Sequence, residues 1–425
     1  MQSLDALVLG AGPAGLGAAL LLAREGARVE VVEAREEVGG LCVTRRRDGF
    51  AYDVGGHIPF VRDAARLGWL RDLLGPDLGR VGRPVACVRD GRIVPGRYLD
   101  QRPAAPEPPG ERDGSARGEL GARVGPAFVD RVMRRYLEKI DGVPLERIPA
   151  ERARRLMDGQ AAPDGWVFPA HGIGQLMDAM AAAAEAAGAR IRLGTRLEAL
   201  RLPGGRMAGA RVAGPGGPEE LAAGQVVVAM PAGAAARLAE PPPPPEATPP
   251  IAMRAVCIVY LAIEVPEGRL TPEAWIQLDD PDVPFSRAFE PVNWSPDLAP
   301  PGRTVIGLEC YCRAEDGDPV WAMRDGPLAA ACAAALAHPL GWLRDAAAVR
   351  PVEVLRLPRA YPVPDLAQLP AVQAPALWLD GAEGVHLAPG AAVIEAIEAG
   401  ERAARAVLEG RPGPRVDPFE VPPIS

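Results

Sequence analysis

The sequence predicts an α/β protein of two interleaved domains, one built on a parallel sheet and one on a mainly antiparallel sheet plus helices. Three observations carry this prediction. The chain opens with a short apolar run, a small-residue helical segment and a second apolar run, the pattern of a parallel βαβ unit. Residues 251–365 hold long strand-like segments of a different style, AVCIVYLAIEV, EAWIQLDD, RTVIGLECYC and VEVLRLPRAYPV, separated by loops. The ending APGAAVIEAIEAGERAARAVLEG then reads as a helix that returns to the first unit. At 425 residues the chain is too long for one simple core. The division expected is 1–84, 160–245 and 370–412 for the first domain, and 85–159 with 246–369 for the second.

The opening segment carries the first chemistry. Leu4–Leu9 suits a buried strand, and Gly10, Gly12 and Gly15 follow as G-x-G-x-x-G. A helix is expected over Ala14–Glu25, stopped by Gly26, then a strand over Ala27–Val32 that ends at Glu33. Gly10 makes the tight turn, Gly12 lets backbone approach a pyrophosphate, and Gly15 permits close helix–sheet packing. The helix start offers free N–H groups and the positive end of its dipole. Glu33, 23 residues after Gly10, stands where a carboxylate grips a ribose hydroxyl. Strand, glycines, helix, strand and acid come in the order that a Rossmann-type dinucleotide site requires.

Further along, Gly39-Gly40 starts a loop, and Cys42–Arg46 with Phe50–Asp53 suggests a strand pair leading into Gly55-Gly56-His57. Residues 61–75 have helical spacing. Val85–Arg89 and Arg92–Val94, joined by Asp90-Gly91, predict a hairpin with a type I′ turn. The proline-, glycine- and charge-rich stretch 101–121 reads as a flexible loop, and Pro126–Ile140 as helical. After a turn at His171-Gly172, a helix is expected from about Gly174 to Ala187, with a strand from Arg190 and another in QVVVAM. PPPPPEATPP (241–250) is a stiff extended exit. ALWLDGAEG reads as a buried strand with a glycine turn, and the last helix as running from about Gly390 to Leu408.

Composition narrows the function classes. A net charge of −8 argues against nucleic acid as a partner. No apolar stretch approaches a membrane span, and the start lacks a basic leader, so a cytoplasmic protein is expected. The six cysteines form no C-x-x-C and the four histidines are dispersed, so no metal site is expected and the thiols read as reduced and buried. A redox pair at Cys310-x-Cys312 is a minor alternative. Lys139 is the only lysine among 47 basic residues.

The glycine pairs beyond the fingerprint lengthen the expected cofactor. Such pairs let main chain pass along an elongated molecule, contacting its diphosphate and ring. With GAGPAGLGAALLLAREGARVEVVEAREEVGG, YDVGGHIPF, PAHGIGQLMDAM, VVVAMP and LWLDGAEG…AAVIEAIEAGERAARAV in that order, the sequence resembles the flavin-containing amine oxidase and protoporphyrinogen oxidase superfamily. That group includes phytoene-desaturase-type enzymes and, more remotely, UDP-galactopyranose mutase. The resemblance implies non-covalent FAD. Gly10, Ala11, Gly12, Pro13, Ala14 and Gly15 would hold the pyrophosphate, and Glu33 the adenosine ribose, with Ala34 beside it. Arg35, Gly39, Gly40 and Leu41 would line the diphosphate and ribityl chain. Gly55, Gly56 and His57 would sit against the isoalloxazine, and Leu197 against adenine. Gly381, Ala392 and Val393 would face the ribityl chain and the flavin O2 edge, where a helix start stabilises negative charge. Leu41 departs from the Gly-Gly-Arg of many members. Lys139 does not match the lysine that holds a water at flavin N5 in amine oxidases.

The chemistry expected is hydride transfer from a C–H or C–N position of a small organic substrate to flavin N5, in a biosynthetic setting. His57 is the candidate catalytic group, a base with the ordinary histidine pKa, or a residue that only sets its loop. Trp275, Asn293, Trp294, Tyr311 and Tyr361 are the candidate substrate-pocket residues from the second domain. His171 and His386 flank glycine turns and read equally as loop residues. Two alternatives stand beside this: an isomerase or mutase using reduced FAD without net redox, and a flavin-binding partner protein with a degenerate site.

Overall fold

The computed structural model describes residues 4–82, 85–102, 107–158, 165–390 and 392–411. The chain begins with β1 (Ala6–Leu9), α1 (Pro13–Arg24) and β2 (Val29–Val32), then the strand pair β3 (Thr44–Arg47) and β4 (Phe50–Asp53) and the helix α2 (Ala64–Leu74). The hairpin β5 (Val85–Arg89) and β6 (Arg92–Pro95) turns through Asp90 and Gly91, both at positive φ (49° and 73°), as a type I′ turn requires. Helices α3 (Ala116–Val124), α4 (Arg134–Asp141) and α5 (Ile173–Ala186) precede β7 (Arg190–Arg192), β8 (Arg196–Arg201) and β9 (Val226–Val228). The long strand β10 (Met253–Glu264), the short strands β11 (Trp275–Gln277) and β12 (Arg287–Phe289), and the long β13 (Arg303–Cys312) follow. Then come α6 (Asp325–Ala337), β14 (Val349–Pro362), α7 (Leu369–Asp380), β15 (Val385–Leu387) and α8 (Val393–Leu408).

Two sheets organise these elements. The first is fully parallel, in the order β15-β9-β1-β2-β7, with β1 at its centre. All four residues of β1 are buried, as expected of a strand covered on both faces. The second sheet has seven strands, β14-β10-β13-β12-β11-β5-β6, antiparallel throughout except where β11 runs parallel to β5. Both of its faces are also covered. Cys257, Val259, Leu261, Leu308 and Cys310 pack on the α6 side, whereas Val256, Ile258, Tyr260 and Tyr311 face the core shared with the first sheet. That alternation lets polar residues on one face of β13 reach the glycine turn after β4.

Two expectations from sequence need correction. ALWLDGAEG is not a strand: its first residues close α7, and the strand comes later at Val385–Leu387. A short apolar run fits a helix turn as well as a strand, and here the sheet position is taken by β15, which pairs with β9. Within the 101–121 stretch, Ala116–Val124 forms a helix. Ser115 caps it by accepting the Gly118 N–H at 3.0 Å, and buried Glu119 is held by Arg112 and Arg123. Glycine-rich composition hid the cap. Residues 103–106 of that stretch lie outside the described residues.

All six cysteines are free and buried. Cys310 and Cys312 share a face of β13 but neighbour different thiols, Cys332 at 3.8 Å and Cys257 at 3.9 Å. No group of three or more His, Cys, Asp or Glu that could hold a metal occurs among the described residues. None of their helices is long and apolar enough to cross a membrane.

Candidate active site

The site begins at the carboxyl ends of β1, β9 and β15. Gly10 turns at φ +101°, and a side chain on Gly15 would collide with the Gly10 carbonyl, so both positions require glycine. A Cβ on Gly12, by contrast, would meet nothing within 4 Å. The space above Gly12 is open, and the first turn of α1 has no side-chain cap. Its leading amides therefore face that space without intrahelical acceptors, the arrangement that receives a phosphate. Gly40 lies directly against Gly12, since a Cβ on it would come 3.4 Å from the Gly12 Cα. The Gly39 amide donates to the Ala11 carbonyl at 2.7 Å and ties the two glycine loops together. Arg35 holds the loop from the other side by donating to the Gly40 carbonyl at 2.6 Å. Leu41 is 40% exposed at the lip.

Glu33 accepts the Ala11 amide on one carboxylate oxygen and the Arg35 amide on the other, each at 2.9 Å. Each oxygen keeps capacity for a further donor such as a ribose hydroxyl. The Thr195 amide donates to the Glu33 carbonyl at 2.8 Å, which brings Leu197 on β8 to the same end. Helix α8 crosses α1 with backbones in contact: a side chain on Gly17 would come 2.7 Å from the Ile397 carbonyl oxygen. Ala392 and Val393 therefore start a second uncapped helix beside the first. Gly381 is not brought here. It caps the end of α7, before the amino end of β15, on the far edge of the parallel sheet.

The turn after β4 closes the other end. Asp53 anchors it, accepting from Thr44 at 2.6 Å and from the Ile173 amide that opens α5. Burial pushes its carboxyl up to about 7, against those donors. The Tyr260 hydroxyl donates to the Asp53 carbonyl and accepts the Gly55 amide at 3.2 Å. From β13, Glu309 accepts the Gly56 amide at 3.4 Å and the Tyr311 hydroxyl at 2.7 Å. Arg287 stands directly across the sheet from Glu309, with 3.4 Å between Nη1 and Oε2. Its guanidinium lies over the Trp275 ring, 5.6 Å from the centroid. Two buried nitrogens in this cluster have no partner: Arg287 Nη2, and Nδ1 of His57. A Cβ on Gly56 would lie 3.7 Å from that Nη2 and 3.9 Å from Trp294.

His57 differs from expectation in charge. Burial drives its pKa down to about 4; Glu309 opposes this and Arg287 adds to it. The imidazole is neutral near pH 7 and too weakly basic to match the general base expected from an ordinary histidine. Of the pocket residues expected from sequence, Trp275, Trp294 and Tyr311 belong to this cluster, and the Tyr361 hydroxyl feels both Glu309 and Arg287. Asn293, next to Trp294, is tied to the preceding loop, and its Oδ1 is buried without a partner. Its amide nitrogen bonds the Thr271 and Glu273 carbonyls, both at 2.8 Å, and so fixes a loop. His386 is a buried strand residue whose Nε2 lies 2.6 Å from Gln225 Oε1, and the His171 carbonyl accepts from Arg46. Sequence reading missed Arg287 and Glu309. The available signal was a charged residue in the middle of a buried apolar strand, RTVIGLECYC.

Open space above Gly12 where two glycine loops meet, the Glu33 carboxylate beside it, and a polar cluster with two unpartnered nitrogens at the turn after β4 fit an extended dinucleotide. That combination fits the class of FAD-binding proteins. Residues 8–71 match the NAD(P)-binding Rossmann-like domain, and residues 148–408 match the flavin containing amine oxidoreductase family. The chain belongs to the flavin containing amine oxidoreductase family. It is 46% identical over 56 residues to an all-trans-retinol 13,14-reductase of Danio rerio, 13% of this chain and 9% of that protein. It is 48% identical over 52 residues to a putrescine oxidase of Kocuria rosea, 12% of this chain and 11% of the relative. The matches thus span about a tenth of the length of these curated relatives. Among solved structures, reduced UDP-galactopyranose mutase superposes with a TM-score of 0.74 at 18% identity, covering 96% of each chain. Putrescine oxidase bound to putrescine gives 0.66 at 20%, covering 96% of this chain and 99% of that one. At these identities the likeness is one of fold.

Proposed function

We propose that this chain oxidises a C–H or C–N bond of a small organic substrate as a cytoplasmic biosynthetic enzyme. FAD, when bound, supplies the hydride acceptor at N5. The observation that carries this reading is the meeting of the Gly55–Gly56–His57 turn with the Glu309–Arg287–Tyr311 cluster, where two buried nitrogens face no protein partner. Gly10, Ala11, Gly12, Pro13, Ala14, Gly15, Gly39 and Gly40 would receive the diphosphate. Glu33 with Ala34 and Arg35, and Leu197, would hold the adenosine end. Ala392 and Val393 would set a positive helix end beside the ring. His57 acts as a neutral polar group, and the second sheet orients the substrate and excludes water. The test is anaerobic addition of candidate substrates to the FAD-loaded chain. Bleaching of the flavin band supports the reading, and a colourless protein that cannot be reconstituted with FAD refutes it.

A second reading is favoured by one residue. Lys139 donates to the carbonyls of Asp280, Val283 and Phe285, all at 2.8 Å, so the amine of the single lysine in the sequence is already engaged by main chain. That suits an isomerase or mutase working with reduced FAD. Turnover that requires prior reduction by dithionite would select it.

A further inference from the structure

We propose that Arg287 Nη2 is the substrate-recognition donor of this site, and that the substrate offers it a planar oxygen acceptor, a carboxylate or a conjugated carbonyl, rather than an ammonium group. The inference deepens the oxidoreductase reading and rests on it. It starts from which polar atoms near the Gly55–Gly56 turn are already engaged. Glu309, the carboxylate that touches this turn, accepts from the Gly56 amide and the Tyr311 hydroxyl and faces Arg287 Nη1. A carboxylate has about four lone-pair sites, so little remains for a substrate cation. Asp53 points the other way, toward Thr44 and the start of α5. Glu353, across the sheet, accepts from the Tyr52 hydroxyl at 2.9 Å.

The two tryptophan faces of the cluster are also engaged. Trp275 carries the Arg287 guanidinium, and Trp294 stacks on Phe289 with 5.1 Å between ring centroids. What Arg287 leaves over is donor capacity. Arg287 is 3% exposed, and its Nη2 is buried without a hydrogen bond. A buried, unpaired guanidinium nitrogen is costly unless a ligand completes it. Glu309, Tyr311 and Trp275 hold the guanidinium plane in place, so the free N–H2 presents a fixed direction, which suits recognition of a planar oxygen group. The nearby rings suit an unsaturated or aromatic body on that group.

The experiment compares benzoate, benzamide and benzylammonium, three ligands of one shape, titrated into the FAD-loaded full chain. Two signals are followed, the flavin band and the fluorescence of the buried tryptophans. Benzoate or benzamide is expected to saturate both signals at concentrations where benzylammonium does nothing, and the tighter of the two tells carboxylate from carbonyl. Arg287→Lys keeps a cation for Glu309 but removes the second nitrogen. The pair Arg287→Met with Glu309→Gln removes both charges together, so neither is left buried alone. Each is expected to weaken the oxygen ligand by about ten- to a hundredfold, with Tm and near-UV circular dichroism reporting the fold. Preferential binding of benzylammonium overturns the proposal, as does a failure of both oxygen ligands to bind wild type. So does an oxygen-ligand affinity unchanged in Arg287→Lys; a flavin band that shifts there without loss of affinity would assign the nitrogen to the cofactor. If the chain takes up no FAD, the functional reading fails, and tryptophan fluorescence still decides the role of Arg287.

Discussion

Gly400 and Ala14 meet backbone to backbone: a side chain at Gly400 would collide with the carbonyl oxygen of Ala14, in the first turn of α1. Helix α8 is thereby locked onto α1, and the two uncapped helix starts are held as one unit. Gly400→Ala must push them apart. Overpacking of this kind costs about 1–3 kcal/mol, so the Tm should fall and FAD should be released more readily. An unchanged Tm with full flavin loading would show that the helices can separate freely.

Glu33 makes a second, separable prediction. In Glu33→Gln the one remaining oxygen can accept the Ala11 amide but the NH2 faces the Arg35 amide, so the apoprotein should lose only about 1 kcal/mol. The lost charge-assisted bond to a ribose should weaken FAD binding by about tenfold or more. Calorimetric titration of apoprotein with FAD measures this; equal affinities would remove Glu33 from the site.

His57 predicts a pH dependence with a definite sign. Burial lowers its folded pKa to about 4, below the ordinary histidine value of 6.5. Between these values the unfolded chain binds a proton that the folded chain does not, so stability rises with pH across the window and is lost as pH falls from 6.5 toward 4. The shift corresponds to about 3 kcal/mol at most. Denaturation of His57→Gln at pH 4.5 and 7 should show a smaller difference than wild type by up to that amount. Equal differences would mean that the ring is solvated.

Lys139 predicts loss of stability without loss of chemistry. Lys139→Met leaves three loop carbonyls without their donor and should destabilise the fold by about 1–3 kcal/mol. The rate of flavin reduction by substrate in the folded fraction should stay within about twofold of wild type. A large fall in that rate with an unchanged Tm would instead place the lysine at the ring.

The cofactor half of the site was legible in the sequence because its requirements are local. Gly10, Gly12 and Gly15 act through backbone geometry within one turn, and Glu33 lies at the end of the adjacent strand, so spacing alone relates them. Gly39-Gly40 and Gly55-Gly56-His57 were legible for the same reason, although their contact with Gly12 and with Glu309 was not. The failures were ambiguities of short range. ALWL suits a helix turn or a strand equally, and only pairing of β15 with β9 decides between them, which moved Gly381 to the wrong edge of the sheet. That the Asn293 amide nitrogen braces a loop through the Thr271 and Glu273 carbonyls was not legible from its neighbours in sequence.

Apolar periodicity and glycine placement act over a few residues, so a parallel βαβ core, a dinucleotide-binding turn and a second sheet of another kind could be read from the chain order. The polar cluster at the turn after β4 depends on contacts that form only when the two sheets come together. Arg287 and Glu309 are 22 positions apart and become partners only through the register of β12 on β13. His57 lost its ordinary basicity only by being buried beside them, since desolvation is a property of the assembled site and is carried by no single residue.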